Sequence, residues 1–428
     1  MLGAWTRRLP LLSLVLVLVL VVVLVLDPTS GASTLGLTVA VVPLDSDGGQ
    51  TVRAHFTSIS AGSCPSLSGL CPEGDDCLLH RTSVPFTGTR PGSGWCVRQW
   101  QRTVSSRYSA NVSLGSDTEF YVSLNATPKV RANSGRLNQP VFVALPPPLR
   151  ARVNCPHHFH LSVKDPDGDK VQCRFARPER GECLSCERRP FIELQEEKCI
   201  LFFTGKAAAG QYFIHLMVED LIPVPKISHV TNNSPLSSVP LHLSLTVEES
   251  STSCTDEPLA SSETPAEDSV MFVLPYEQIK FNIHYISEAE SVSEVAVVGP
   301  PELYRTDLTS VGPLAALTVS WTRSENQLAR LLPICFVANT NSLQSEPRCV
   351  WLYQREMKVL PSGTELKCGK SEMTLVLPVT SLSNINLAEL QLNSPTCPVS
   401  YNSTHLTASI SLSGCGTKTV VTSLFLEL

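Results

Sequence analysis

The sequence predicts an all-β protein built from several disulfide-linked β-sandwiches. Short runs at residues 120–124, 241–247 and 374–377 alternate apolar and polar side chains, and this period of two is typical of strands that bury one face. The 32 prolines interrupt the chain too often for long helices. The 15 cysteines favour disulfides, because the N terminus directs the chain to an oxidising compartment.

The N terminus carries a secretory signal. Arg7 and Arg8 precede an apolar run at 11–26 and small residues follow at 30–32, so we interpret residues 1–32 as a cleaved signal peptide. The apolar run is slightly shorter than the ~17 residues that a short membrane span requires. An uncleaved N-terminal membrane anchor is the alternative. We expect a secreted, extracellular protein that contacts a membrane only through this segment, if the segment is retained.

Breaks in composition divide the rest of the chain. The proline triplet at 146–148 ends a first segment, and a polar, acidic stretch reads as a linker. We expect the following parts: a cysteine-containing β domain at 34–149, a sandwich at 150–249, an acidic Ser/Thr-rich linker at 250–269, a third β-sandwich at 270–358 and a partial sandwich at 362–428.

The net charge and the lack of catalytic motifs limit the classes of function that we expect. A net charge of −6 offers no basic stripe, so we expect no nucleic-acid partner. The sequence contains no Gly-x-Ser-x-Gly elbow, no His-Glu-x-x-His motif and no phosphate-binding Gly-x-x-x-x-Gly-Lys-Ser/Thr loop. We therefore expect no enzyme, and a secreted enzyme or inhibitor is kept only as an alternative.

A carboxylate-rich turn lies in the second domain, at residues 165–169, where Asp alternates with Pro and Gly. Such a turn gathers the oxygen ligands that calcium requires, but the EF-hand pattern is incomplete because Ala176 stands at position twelve. The turn and the run at 210–220 together resemble cadherin-like extracellular sandwiches. The resemblance implies calcium at Asp165, Asp167, Asp169 and Asp220. A solvated hairpin that binds no cation is the alternative, and no other cofactor is expected.

The cysteines upstream of the tail predict disulfides but leave most pairings open. Four in the first domain allow three pairings and six in the second allow fifteen; they are Cys64, Cys71, Cys77 and Cys96, and then Cys155, Cys173, Cys183, Cys186, Cys199 and Cys254. Cys335 and Cys349 suit a bridge across adjacent strands. A zinc site built on Cys183, Cys186 and the histidines at 157–160 is the alternative in the second domain.

Aromatic residues and sequons complete the candidate sites. Trp321 and Trp351 lie in apolar runs and are expected in the core. Trp95 and Trp100 belong to a disulfide-stapled lobe, with an exposed binding knob as the alternative. Glycosylation is expected wherever the sequons are exposed in the secretory pathway, and the acceptors are Asn111, Asn125, Asn232 and Asn402.

Three cysteines lie in strand-like segments near the C terminus: Cys368, Cys397 and Cys415. With the flanking runs at 366–377 and 412–417, they resemble the N-terminal half of a zona pellucida (ZP) module, the polymerisation unit of egg-coat proteins. The resemblance implies a bond between Cys397 and Cys415. The fourth cysteine of the pattern is missing, so we expect Cys368 to be a free thiol. An ordinary disulfide-linked hairpin is the alternative.

The ZP resemblance implies a structural or interaction role in extracellular matrix or a coat. The expected partners are extracellular proteins, other ZP-domain proteins among them, joined by strand-edge association. Because only half a module is recognised, we expect the chain to bind such partners without extending a filament alone. A calcium-dependent adhesion or receptor-like ectodomain, anchored at its N terminus or free, is the alternative.

Overall fold

The computed structural model confirms the all-β class. The regular structure of its described residues consists of strands and short 3₁₀ turns at Pro178–Arg180, Glu196–Lys198 and Val379–Leu382. The described residues are 34–44, 49–62, 64–67, 70–71, 77–80, 94–114, 118–131, 134–221, 234–249, 253–274, 277–323, 329–354, 363–382, 387, 397 and 399–415. The expected signal peptide and Asn232 lie outside them. Within these ranges, no helix has the length and apolar character needed to cross a membrane.

The chain divides into two compact units. The first comprises Met1–Ser269, Phe281–Val319 and Leu331–Trp351, and the second comprises Val270–Lys280, Ser320–Arg330 and Leu352–Leu428. The ZP-like tail therefore falls entirely within the second unit.

The first unit begins with strands β1 to β15. Their bounds are β1 Thr34–Pro43, β2 Thr51–Ala61, β3 Cys77–His80, β4 Trp95–Ser105, β5 Arg107–Leu114, β6 Thr118–Asn125, β7 Phe142–Val143, β8 Leu149–Arg152, β9 His157–His160, β10 Val163–Lys164, β11 Lys170–Phe175, β12 Ile192–Gln195, β13 Ile200–Phe203, β14 Gly210–Leu221 and β15 Ser237–Glu248. Strands β7 and β10 form a small pair, and β12, β13 and β9 form a three-stranded sheet.

Ten of these strands form one sheet around β15. The main order is β11-β14-β15-β1-β2-β4-β3, and the β5–β6 hairpin joins β15 through β6. Strand β8 runs parallel to β15, whereas β1 and β14 pair with it in antiparallel register. The boundary expected near residue 149 therefore falls within a sheet that residues of both predicted domains build.

The alternating sequence of the first strands explains their core. Val52, Ala54 and Phe56 on β2 are buried, as the period of two requires. The ring of Phe56 stacks on its cross-strand partner Trp100, with ring centroids 4.9 Å apart. Trp100 is 1% exposed and Trp95 is 8% exposed. The alternative of an exposed binding knob built on Trp95 and Trp100 is wrong, because both side chains are buried in the core.

Strands β16 to β24 form the third sandwich. The boundaries between the two compact units fall within three of its strands, β18, β22 and β24. Their bounds are β16 Leu259–Ala260, β17 Val270–Val273, β18 Gln278–Ile286, β19 Glu294–Val298, β20 Tyr304–Arg305, β21 Thr309–Val311, β22 Leu314–Thr322, β23 Leu331–Asn339 and β24 Arg348–Gln354. One sheet has the order β16-β18-β22-β20 with β21 on β22, and the other has the order β17-β24-β23-β19. Trp321 and Trp351 are buried, as expected of core residues.

The stretch that composition marks as a linker also carries structure. In its described part, Leu259 and Ala260 pair with Ile286 and Tyr285 as the edge strand of the third sandwich. Acidic composition did not reveal this pairing, because a two-residue edge strand has no periodicity to detect.

The C-terminal tail forms a four-stranded antiparallel sheet. Its strands are β25 Glu365–Cys368, β26 Glu372–Pro378, β27 Val399–Tyr401 and β28 His405–Ser411, in the order β25-β26-β28-β27. Leu406 and Ala408 of β28 are buried. In the described part of the chain, β25 and β27 are the two edges of this sheet.

Candidate functional sites: a carboxylate cluster and an open sheet edge

Disulfides join every cysteine of the described chain except Cys368, which is exposed. The pairs are Cys64–Cys96, Cys71–Cys77, Cys155–Cys254, Cys173–Cys199, Cys183–Cys186, Cys335–Cys349 and Cys397–Cys415. The zinc alternative is wrong for Cys183 and Cys186, because their sulfurs bond to each other and neither is a free thiolate.

The Asp-rich turn is built by backbone hydrogen bonds to its first carboxylate. Asp165 Oδ1 accepts the N–H of Asp167 at 2.9 Å and the N–H of Asp169 at 2.8 Å. Gly168 has a φ of 76°, in the left-handed region that glycine adopts without a steric penalty. The turn brings one carboxylate oxygen from each aspartate within 4.8 Å of the others. We call these three residues the carboxylate cluster.

Arg131 neutralises part of the carboxylate cluster. Its Nε donates to Asp169 Oδ2 at 2.9 Å and its Nη2 donates to Asp169 Oδ1 at 2.5 Å. Its Nη1 lies 3.7 Å from Asp167 Oδ1. Such a bidentate pair is stronger than an ordinary hydrogen bond. Sequence reasoning missed Arg131, which precedes Asp169 by 38 positions and belongs to no motif.

Asp220 lies close enough to influence the carboxylate cluster but has partners of its own. It is fully buried, accepts a hydrogen bond from Asn138 Nδ2 at 2.7 Å and accepts another from the N–H of Ser237. Burial raises the pKa of Asp220. Burial also raises the pKa of Asp165 to about 7, and the negative charges of Asp220 and Asp169 add to that increase while the two backbone hydrogen bonds oppose it.

The cluster has the oxygen donors that calcium prefers, but it already holds an internal cation. Carboxylate oxygens suit a hard divalent ion, and their spacing here is compatible with one. However, Arg131 binds both oxygens of Asp169 and lies near Asp167. Calcium at these residues would have to displace the guanidinium group.

Among the described strands, the outer strand of the tail sheet, β25, has a neighbour on one side only, and we call its other side the open edge. Gly369 N–H donates to Glu372 O at 2.8 Å at the β25–β26 turn, and Cys368 and Leu366 lie opposite Met373 and Leu375. Hydrogen-bonded and non-hydrogen-bonded pairs alternate along an antiparallel ladder. Gly369 and Glu372 form a hydrogen-bonded pair, so Cys368 with Met373 and Leu366 with Leu375 are pairs of the other kind. The backbone N–H and C=O groups of Leu366 and Cys368 therefore point away from β26. All four residues of β25 are exposed.

The three described sequon asparagines have different surroundings. Asn111 is exposed on β5. Asn125 is half-buried at the end of β6, and its Oδ1 accepts hydrogen bonds from the N–H and hydroxyl of Thr127. Asn402 is exposed in the β27–β28 turn, where its Oδ1 accepts the N–H of Thr404 at 2.8 Å. All three acceptors are thus placed within or beside strands.

Comparison with known protein families gives a match for the C-terminal tail. Residues 368–425 match the ZP-N domain family, in agreement with the cysteine pattern. A ZP-N domain indicates an extracellular structural or interaction role and is a non-enzymatic kind of domain. No curated protein matches the chain.

Several tandem immunoglobulin structures are similar to the upstream chain, but weakly. The N-terminal Ig1-2 module of Drosophila receptor protein tyrosine phosphatase DLAR is 12% identical, with 51% of this chain and 100% of that chain covered and a TM-score of 0.20. Titin domains Z1Z2 in complex with telethonin are 12% identical, covering 52% and 99%, with a TM-score of 0.18. The I-band fragment I67-I69 from titin is 14% identical, covering 64% and 88%, with a TM-score of 0.19.

Replacing Arg131 should expose its role as the internal cation. Arg131→Gln leaves two carboxylates without a guanidinium partner, so we expect a loss of about 3–5 kcal/mol in the free energy of unfolding. Urea denaturation followed by circular dichroism measures this loss. Arg136→Gln, an exposed arginine on the same connection, is the matched control and should change stability by less than about 0.5 kcal/mol. Equal stability of the two variants would contradict the assignment.

The raised pKa of Asp165 predicts a pH dependence. Between the unfolded value of 3.8 and the folded value of about 7, the folded state retains a proton that the unfolded state has lost. This contribution to stability is therefore present at about pH 4 and is lost as the pH rises to about 7. Asp165→Asn keeps the amide oxygen as acceptor and removes the titration. The fall in unfolding free energy across this interval should be steeper in the native protein than in the variant, and parallel profiles would contradict the shift.

Proposed function

We propose that this protein is an extracellular structural or interaction protein whose ZP-N domain associates with other ZP-domain proteins through its open sheet edge. The observation that carries the proposal is the outer edge of β25, the strand that leads into the segment at 368–425 that matches the ZP-N family and pairs with β26 of that segment. Backbone groups that point outward from an edge strand are a template for an added strand.

The side chains of β25 give this edge two different faces. Leu366 and Cys368 lie on one face, because side chains alternate along a strand. Leu366 is 51% exposed, so it offers an apolar contact to an added strand. The other face carries Glu365 and Lys367, whose charged groups lie 3.5 Å apart. A partner strand would therefore meet an apolar and thiol face on one side and a neutralised charge pair on the other.

A proline placed at Leu366 tests the edge directly. Leu366→Pro removes an N–H group that points away from β26, and proline is tolerated on the open side of an edge strand. We expect the full chain to bind an immobilised ZP-module protein in biolayer interferometry, and the variant to bind at least about tenfold more weakly, which corresponds to 1.4 kcal/mol. Leu366→Ala keeps the N–H group and should retain most of the binding.

Two controls define the outcome. Cys368→Ser should bind like the native chain, because the proposal needs the backbone edge and no intermolecular disulfide. The thermal unfolding of Leu366→Pro should match that of Leu366→Ala. The proposal fails if the native chain binds neither a ZP-module protein nor a second copy of itself, or if Leu366→Pro binds as well as Leu366→Ala.

Calcium-dependent adhesion or a receptor-like ectodomain is the second candidate function. The observation that favours it is the close spacing of Asp165, Asp167 and Asp169. On this hypothesis, calcium replaces the guanidinium group of Arg131 at the carboxylate cluster, and Asp220 supplies a further carboxylate ligand. An uncleaved N-terminal segment at 1–32 would then serve as the membrane anchor of a receptor.

Calcium titration distinguishes the two candidates. If calcium binds, the melting temperature of the native chain rises by several degrees at saturating calcium, because a ligand at 100 times its Kd adds about 2.7 kcal/mol. Arg131→Gln should then respond at a lower calcium concentration, since the competing guanidinium is gone. Magnesium is the control ion. A melting temperature that calcium leaves unchanged in both proteins would eliminate this candidate and leave Arg131 as the cation of the cluster.

A further inference from the structure

A groove of about 650 Å³ opens on the first unit. Its volume falls within the range of about 300–1,000 Å³ that is usual for small-molecule sites. One wall is the β5–β6 hairpin, the second is the connection that contains Cys183 and Leu184, and the floor comes from β14 and β15. The Tyr121 hydroxyl donates to Gly181 O at 3.0 Å, so the hairpin and the connection are held together at the rim.

The floor of the groove contains a buried polar atom without a partner. His215 and His242 are cross-strand neighbours with ring centroids 4.7 Å apart. His242 is only 8% exposed, and its Nε2 makes no hydrogen bond within the described chain. Burial, with a smaller contribution from His215, lowers the pKa of His242 to about 3. His242 Nε2 is itself buried, so the half-buried His215 beside it is the imidazole that the groove exposes.

The same groove exposes large apolar side chains. Phe213 is 39% exposed and Leu184 is 68% exposed, and both line the groove. Phe213 and His215 share one face of β14, because they are two residues apart. An aromatic ring, an aliphatic side chain and a neutral imidazole thus face one space. This mixture suits a sugar ring, which has apolar C–H faces and polar hydroxyl and acetamido groups.

A sequon asparagine stands on the wall of the groove. Asn111 lines it, is exposed, and lies opposite Tyr121 in the β5–β6 ladder. The next residue, Val112, is buried at 7% exposure, so the alternation of the strand turns Asn111 outward. Ser113 completes the acceptor sequence.

We propose that an N-linked glycan on Asn111 folds back into this groove, with its first sugar rings against Phe213 and Leu184 and a polar group beside His215. In the modification, Asn111 Nδ2 forms a bond to C1 of an N-acetylglucosamine. The bond between that C1 and the diphosphate of a lipid-linked oligosaccharide donor breaks, and the diphosphate leaves with the amide proton. Covalent attachment at the rim gives the sugar a high effective concentration in the groove.

This inference deepens the proposed function, since it rests on an extracellular chain that passes through the secretory pathway. It does not depend on the open edge of the ZP-N domain. The bound glycan would also cover part of β5, whose outer edge has no paired strand in the described chain and would otherwise remain a site for unwanted pairing.

The test compares two sequons in the secreted full-length chain. Glycopeptide mass spectrometry measures occupancy at Asn111 and Asn402, and differential scanning calorimetry measures the melting temperature. We expect Asn111→Gln to lower the melting temperature by several degrees. The matched control, Thr404→Ala, removes the Asn402 sequon but keeps the backbone N–H groups that donate to Asn402 Oδ1, and it should leave the melting temperature within about one degree. Trimming the native glycans to a single N-acetylglucosamine with an endoglycosidase should retain most of the stability.

A double-mutant cycle with Phe213→Ser separates packing in the groove from a general effect of glycosylation. If the sugar packs on Phe213, Asn111→Gln should have a much smaller effect in the Phe213→Ser background than in the native chain. Additive effects, or equal shifts for Asn111→Gln and Thr404→Ala, overturn the inference. A secreted chain with no glycan at Asn111 overturns this inference alone, whereas a chain that is not secreted contradicts the proposed extracellular function.

Discussion

Strand β15 is the element on which the first unit depends. It pairs with β14 along its full length, with β1 on its other side and with β8 at its end, and residues 237–245 are all buried. Such a strand is stable only when chain segments distant in sequence pair with its edges and pack against its faces, because both its edges and its faces are buried. It also places both features of interest in this unit, since Ser237 at its start binds Asp220 and His242 in its middle forms the groove floor.

Arginine side chains neutralise the buried carboxylates around this sheet. Arg174 contacts Glu182 and Glu219, each at 2.6 Å. Burial lowers the pKa of Arg174, but the hydrogen bonds that Arg174 donates to these two carboxylates outweigh it and leave the pKa above its usual value. Arg131 and Asp169 repeat the arrangement at the Asp-rich turn. In both places a bidentate arginine supplies hydrogen bonds and charge together, so a cation of the chain itself pairs with the buried carboxylates.

The tail and the first unit offer different kinds of surface. The edge of β25 presents backbone groups, which recognise any compatible strand and obtain selectivity from the flanking side chains. The groove at Asn111 presents a fixed set of side chains around a small volume, which selects shape and polarity. One surface is therefore suited to assembly between chains, while the other is suited to a ligand that the chain itself carries.

Several features could be predicted from local sequence because their causes are local. The period of two at 120–124, 241–247 and 374–377 predicts the strands β6, β15 and β26. The runs around Cys368, Cys397 and Cys415 resemble a ZP module, and the ZP-N match falls on them. The cysteines of the first two domains could not be paired in this way. Cys155 bonds to Cys254 across 99 positions, and many connectivities satisfy the same composition.

The sequence alone determined the all-β class, because the period of two acts over a few residues, and its resemblance to ZP modules gave the position of the ZP-N segment. Only the tertiary structure decided that Arg131 meets Asp169, that β1 and β15 share a sheet, and that Asn111 stands beside Phe213 and His242. These contacts join residues far apart in the chain, and their partners are fixed by the packing of whole strands rather than by any local pattern.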